Sequence, residues 1–411
     1  GVNMSKYVII GNSAGAIGCV EGIRSVDKDS EIVLISSEPY HTYSRPLISY
    51  LLWGKTDEQR MKYRPDSFYQ DNNVKTMLGK TAVSIDSANK CVRLDSGECI
   101  CYDSLLAATG SSPFVPVIKG LDTVEKKFTF MKLDDAYALE KELKPDSRVL
   151  VVGAGLIGLK CVEGIAGRVG EITVADMADR ILPSVLDHEG AQLVQSFIEE
   201  RGVKFCLGDS AAEFSKNKAV LKSGKEIDFD ILVLAVGVRP NVSLLREAGA
   251  EVNRGVVTDE KCRTSVKDIY AAGDCTESYD ISAGASRILA LLPNAYLQGE
   301  AAGINMAGGE KLYDNAIPMN AMGMFGYHMI TAGTYEGEVY AEKSGRNYKK
   351  LFYKDNRLVG YIMIGDIARA GIYTGLIKKK TPLDSIDFEL IKARPQLMAF
   401  SKKKRAEFLA R

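Results

Sequence analysis

The most constraining stretch of this chain runs from Arg148 to Asp176. A Val-rich apolar run enters Gly153-Ala-Gly155-Leu156-Ile157-Gly158, a segment of small residues leaves it, and a second apolar run ends on Asp176. This pattern predicts a strand, a tight turn, a helix and a second strand. The turn reads G-x-G-x-x-G, and the acid follows its last glycine by 18 residues, near the spacing of a ribose-binding carboxylate. Gly153 allows the tight turn, Gly155 lets a pyrophosphate approach the backbone, and Gly158 lets the helix pack on the strand. The helix start, with Leu156 and Ile157, offers unpaired N–H groups and the positive end of a dipole to the phosphates.

A less regular copy opens the chain. Tyr7-Val-Ile-Ile-Gly11-Asn-Ser13-Ala14-Gly15-Ala16 puts Ser13 and Ala16 where the second and third glycines would fall, and both are small. A strand at Glu31 to Ile35 follows, and Glu38, 27 residues after Gly11, is the candidate ribose acid. Two nucleotide-binding units imply two nucleotides held together, most simply FAD and a nicotinamide cofactor that exchange a hydride. Two further apolar runs end in small residues, one at Ala108-Thr109-Gly110 and its counterpart at Gly237. A strand ending at Gly273-Asp274 and a small-residue helix from Asn294 to Asn305, suited to lying against a ligand, complete the set.

Composition narrows the alternatives. The 411 residues suffice for two or three domains, and 53 basic residues balance 53 acidic ones. No run of 18 apolar residues is present, so no membrane span is expected. The first strand follows directly on a short polar start, which argues against a signal peptide and for a cytoplasmic protein. Cysteines at 19, 91, 99, 101, 161, 206, 262 and 275 show neither disulfide-scaffold nor zinc spacing, and the three histidines are far apart, so no metal site is expected.

The combination resembles the FAD-dependent pyridine nucleotide–disulfide oxidoreductase superfamily over roughly residues 4–410. Ala108-Thr109-Gly110, Gly237-Val-Arg-Pro-Asn241 and Ala271-Ala-Gly273-Asp274-Cys275 occur with the two glycine turns in that superfamily's order and spacing. The resemblance implies an α/β fold of two Rossmann-like dinucleotide domains and a small α+β C-terminal domain. FAD-binding parts are expected at 4–115 and 240–315, an NAD-binding domain at 116–239, and an interface domain at 316–411. It also implies FAD contacts from Gly11, Ser13, Ala14, Gly15, Glu38, Arg45, Pro46, Val83, Ala108, Thr109, Gly110, Gly273, Asp274 (to the ribitol) and Ala295. The nicotinamide cofactor would meet Gly153, Gly155, Leu156, Ile157, Gly158, Asp176 and Gly237.

Disulfide reductases of this superfamily carry a redox cysteine soon after the first fold, but this chain has none between Cys19 and Cys91. There it reads Tyr43-Ser-Arg45-Pro46-Leu-Ile-Ser49, which resembles rubredoxin and ferredoxin reductases and the N-terminal part of nitrite reductase large subunits. The resemblance places Arg45 beside the flavin, where a fixed positive charge favours the reduced ring; otherwise it is a surface ion-pair residue worth little. Many members place a glutamate two residues after the last glycine. This chain has Lys160 there and Glu163 three residues on, an i,i+3 pair that either faces both rings or leaves Lys160 in solvent. Lys160, Glu163 and Arg45 are the catalytic candidates. Asp176 favours NADH over NADPH by repelling a 2′-phosphate, which Arg180 could partly offset.

Residues 342–411 carry 17 basic and 7 acidic side chains, and the last 24 residues close on Lys402-Lys-Lys-Arg405. Such a region suits an acidic partner, and rubredoxins and ferredoxins are typically acidic; ordinary solvated lysines are the other reading. No nucleic-acid signature accompanies the charge. The expected activity is an FAD-dependent NADH oxidoreductase feeding a rubredoxin- or ferredoxin-like protein. An NADH oxidase that reduces oxygen or a small acceptor, and a redox-regulated flavoprotein without turnover, are the alternatives. The resemblance also implies a homodimer through the C-terminal domain, which often forms the dimer interface in this family.

Overall fold

Two parallel five-stranded sheets frame the molecule in a computed structural model that describes residues 4–397, 400 and 409–410. The first has the order Ile269–Ala271, Ser104–Ala107, Lys6–Ile10, Glu31–Ser36, Val74–Leu78. The second has the order Lys127–Phe128, Ile231–Leu234, Arg148–Val152, Glu171–Asp176, Lys204–Leu207. Strands covered on both faces must be apolar almost throughout. Val8, Ile9, Leu150 and Val151 are accordingly fully buried. The first sheet receives its outermost strand, Ile269–Ala271, only after the second sheet is complete.

The chain leaves and re-enters the first sheet through one antiparallel ribbon, in which Ser111–Pro113 pairs with Val238–Pro240. The Ala108-Thr109-Gly110 and Gly237–Asn241 motifs therefore lie side by side. Thr109 Oγ1 donates to the Asn241 carbonyl at 2.7 Å, and Asn241 Nδ2 donates to the Thr109 carbonyl at 2.9 Å.

The Leu292–Met306 helix corrects one expectation. Its small residues face a second helix, Ala14–Val26, rather than a ligand. A Cβ on Gly299 would lie 1.9 Å from the Gly15 carbonyl oxygen, and one on Gly18 would lie 2.3 Å from that of Tyr296. Only glycine permits so close an approach of two helix backbones. The start of the helix still meets the cavity, through Pro293 and Ala295.

The C-terminal part is an antiparallel sheet in the order Met319–Met324, Tyr327–Gly333, Arg357–Ile364, Asn347–Lys354, Glu338–Ser344, with the Ala370–Lys378 helix against it. Its basic residues are partly committed within the chain. Lys350 pairs with Asp187 at 2.8 Å, Arg346 with Glu200 at 2.8 Å and Lys343 with Glu189 at 3.2 Å. All three acids sit on or beside the His188–Glu199 helix. Burial alone would raise the Asp187 carboxyl, but Lys350, Tyr348 and the Gly190 N–H hold it below its ordinary value. Part of the local charge asymmetry thus joins two parts of the chain. The last 24 residues begin as a helix, Phe388–Ala393, that stops two residues ahead of Pro395. Lys402 to Arg405 lie outside the described residues. No helix among the described residues is long and apolar enough to cross a membrane.

Candidate functional site

The strand–turn–helix at the start of the chain builds one wall of a cavity of about 940 Å³, within the size range of ligand pockets. Gly11 takes φ +123° and approaches Ala108 so closely that a Cβ would sit 2.3 Å from its carbonyl oxygen. The backbone can turn here only without a side chain. Ser13, Ala14 and Gly15 continue the wall into the helix start. Glu38, Arg45, Pro46, Val83, Ala108, Thr109 and Gly110 line the cavity, as do Gly273, Asp274 and Ala295. The structure therefore gathers every residue singled out for FAD around one space.

Three groups set its electrostatics. Arg45 Nη2 donates to Glu38 Oε2 at 2.6 Å, and its Nε donates to Ser13 Oγ at 3.1 Å. Tyr43 donates its hydroxyl to Glu38 Oε1 at 2.6 Å and accepts the Leu133 N–H at 3.0 Å. Arg45 thus combines parts of both sequence readings: it lines the cavity and is half of an ion pair at the glycine turn. Asp274 is different: none of the described residues hydrogen-bonds to its carboxylate. Removal from water by the surrounding protein raises its pKa, against the opposing charge of Arg45.

These features fit FAD. The turn at Gly11 to Gly15 leaves a helix N-terminus open to a pyrophosphate, Glu38 stands where a ribose acid belongs, and the unpartnered Asp274 acceptors suit hydroxyl donors. The second turn fits a nicotinamide nucleotide in the same way. A Cβ on Gly155 would meet nothing within 4 Å, whereas one on Gly158 would lie 2.0 Å from the Gly153 carbonyl oxygen. Asp176 closes this turn by accepting the Ala154 N–H at 2.7 Å and the Ala178 N–H at 2.8 Å. Arg180 is turned away to the carbonyls of Leu186 and Pro183, at 3.1 Å each, and to Asp179.

Of the second turn's helix, only Leu156, Ile157 and Lys160 line the cavity; Gly153, Gly155, Gly158, Asp176 and Gly237 lie outside it. The Lys160–Glu163 pair forms, but its members diverge. Lys160 reaches the Gly323 carbonyl at 3.1 Å and sits 4.5 Å from the centre of the Tyr50 ring. Glu163 is 1% exposed, does not line the cavity, and accepts the Phe325 N–H at 2.6 Å. The expectation that both side chains face the rings therefore fails for Glu163, because its second oxygen ties down the Met324–Tyr327 turn. Sequence reasoning missed the run from Met319 to Gly323, which closes the cavity from the C-terminal sheet. It also missed Tyr50 and the Phe130–Lys132 loop. Nothing in this Met-rich run signals contact with residues about 300 positions earlier.

Two dinucleotide folds joined by one ribbon around a shared cavity define a two-nucleotide oxidoreductase. The chain belongs to the pyridine nucleotide-disulphide oxidoreductase family, whose model matches residues 5–299, and residues 318–381 match the rubredoxin NAD+ reductase C-terminal domain. It is accordingly a flavoprotein oxidoreductase that works with a pyridine nucleotide. It is 29% identical to the NADH-dependent phenylglyoxylate dehydrogenase subunit epsilon of Aromatoleum evansii over 93% of each chain. It is 32% identical to an NADH oxidase of Methanocaldococcus jannaschii over 88% of this chain and 87% of the other. It is 27% identical to the NADH-rubredoxin oxidoreductase of Clostridium acetobutylicum over 89% and 92%. The fold is shared with putidaredoxin reductase solved in covalent complex with putidaredoxin, at a TM-score of 0.87, 21% identity and coverage of 99% and 98%.

Proposed function

We propose that this chain takes electrons from NADH through FAD and delivers them to a small rubredoxin- or ferredoxin-like protein. The observation that carries the reading is that no cysteine lines the cavity. Electrons therefore have no protein disulfide to enter and must leave the flavin directly. The C-terminal match and the Clostridium acetobutylicum relative support a protein acceptor.

FAD, when bound, supplies the hydride acceptor and the means to release electrons singly. The protein's part is to hold and orient. Gly11, Ser13, Ala14 and Gly15 would take the pyrophosphate, Glu38 a ribose, and Asp274 the ribityl hydroxyls. Arg45, already shared between Ser13 and Glu38, offsets negative charge at that end. Gly153 to Gly158 would hold the NADH phosphates and Asp176 its ribose hydroxyls. Lys160 stands where the second turn's helix meets the cavity, so its ammonium is the charged group best placed to orient a nicotinamide. Orientation of this kind supplies much of the rate of a bimolecular transfer.

The division into FAD-binding parts at 4–115 and 240–315, an NADH-binding part at 116–239 and a C-terminal part at 316–411 belongs to the same reading. So does the preference for NADH. Asp176 repels a 2′-phosphate, and Arg180 is occupied elsewhere. We expect kcat/KM for NADH to exceed that for NADPH by at least about tenfold; the reverse order overturns the assignment. Reduction of oxygen is the second reading, favoured by the name of the Methanocaldococcus jannaschii relative.

A further inference from the structure

Three of the eight cysteines come together on the small sheet Ala82–Asp86, Cys91–Leu94, Cys99–Cys101, whose first strand meets the cavity at Ala82 and Val83 while none of the three cysteines lines it. Within it Cys91 pairs with Cys101, and Arg93 pairs with Cys99. The register also fixes the kind of pair. Tyr102 donates its N–H to the Lys90 carbonyl at 3.0 Å, and Leu94 donates to Glu98 at 2.8 Å. Hydrogen-bonded and non-hydrogen-bonded pairs alternate along an antiparallel ladder. Cys91–Cys101 is therefore a non-hydrogen-bonded pair, the closer kind, with Cα atoms about 4.5 Å apart. Cys99, two residues before Cys101, stands on the same face. The opposite face carries Val92, Leu94 and Ile100, all buried. Cys99 and Cys101 are exposed and Cys91 is half-buried.

We infer that Cys91 and Cys101 form a reversible dithiol–disulfide site whose co-reactant is a low-molecular-weight disulfide of the glutathione type, with Cys99 as the neighbouring thiol. The Cα separation of a directly opposed, non-hydrogen-bonded pair falls inside the range a disulfide spans, and the Cys99 thiol stands close to that of Cys91 from the diagonal position. Among the described residues no group of three histidine, cysteine or acidic side chains is arranged to hold a metal. The chemistry open to the cluster is that of thiols with one another.

The surroundings divide the labour. Burial, the Cys99 and Cys101 thiols and Asp86 push the Cys91 thiol up to about 11. It stays protonated at neutral pH and is a poor first attacker. Cys99 and Cys101 are open to solvent, where a small disulfide can reach them. An exposed thiolate attacks one sulfur of the small disulfide, forming a mixed disulfide and releasing one thiol. Exchange among the three sulfurs then closes the Cys91–Cys101 bond and releases the second thiol. Two protein thiols lose two electrons and two protons, and the small disulfide gains them as two thiols.

The test uses the full-length, FAD-loaded protein incubated without oxygen in excess oxidised glutathione, then quenched with an alkylating agent. Trypsin cuts after Lys90 and Arg93, so Cys91 is released on a different peptide from Cys99 and Cys101. We expect these two peptides to become joined, with Cys99 alkylated and Cys101 protected, and to separate after dithiothreitol. Buried Cys19, Cys161, Cys262 and Cys275 should not react in the same time. The Cys91→Ser variant should instead retain glutathione as a stable mixed disulfide. Failure of the peptides to join, or a bond from Cys91 to Cys99, overturns the inference.

Discussion

Asp274 brings a carboxylate to the cavity with no hydrogen-bond donor from the described residues, and its pKa is raised by loss of water. Between the ordinary carboxylate value and the raised one, the folded chain keeps a proton that the unfolded chain releases. Stability of the FAD-free protein therefore falls as pH rises through that window. Asp274→Asn removes this cost. Thermal unfolding of the FAD-free variant should show a higher Tm near neutral pH and a shallower pH slope. FAD binding should weaken by about 1.5–3 kcal/mol, the worth of a hydrogen bond to a charged group. A variant that held FAD as tightly would remove Asp274 from the site. Glu163 tests the opposite assignment. Glu163→Ala leaves Lys160 without its carboxylate and the Phe325 N–H without an acceptor, and should cost about 3 kcal/mol in denaturant unfolding. Glu163→Gln should cost about 1 kcal/mol and leave the rate of NADH-driven flavin bleaching nearly unchanged. Arrest of bleaching in Glu163→Gln would make Glu163 catalytic after all.

At the scale of elements, the glycines carry both legibility and its limits. Gly11, Gly153 and Gly158 were legible because a turn that approaches a strand backbone requires the same residue at a fixed spacing. Gly18, Gly22, Gly299 and Gly303 were not, because their partners lie nearly 300 residues away and no local pattern distinguishes a helix interface from a ligand face. The same long separation hid the cavity contact of the Met319–Met324 strand from the sequence. Glu163 shows the complementary error. Helical spacing correctly paired it with Lys160, but spacing says nothing about the backbone N–H waiting beyond the pair. The helix interface yields its own prediction. Gly299→Ala drives a methyl into the Gly15 carbonyl, and Gly15 lines the cavity. Overpacking should cost about 3 kcal/mol, and retention of FAD through gel filtration should fall with stability. A variant that lost stability yet kept full flavin content would uncouple the helix pair from the cavity.

For the whole molecule, the arrangement is two glycine turns and one cavity. The second sheet carries one turn, the first carries the other and walls the cavity, and the ribbon at Ser111–Pro113 and Val238–Pro240 ties the two units together. The Met319–Met324 strand closes the cavity from the C-terminal sheet through Met319 to Gly323. Ion pairs from Lys343, Arg346 and Lys350 hold that sheet to the second unit. With no thiol in the cavity lining, the central claim is direct transfer from flavin to an external one-electron carrier. The most direct measurement is a stopped-flow experiment. The FAD-loaded protein is reduced with one equivalent of NADH under anaerobic conditions, then mixed either with oxygen or with a rubredoxin or ferredoxin from the same organism. The account predicts that the carrier reoxidises the flavin at least about tenfold faster than oxygen does. Reoxidation by oxygen that is as fast as by every such carrier would contradict it.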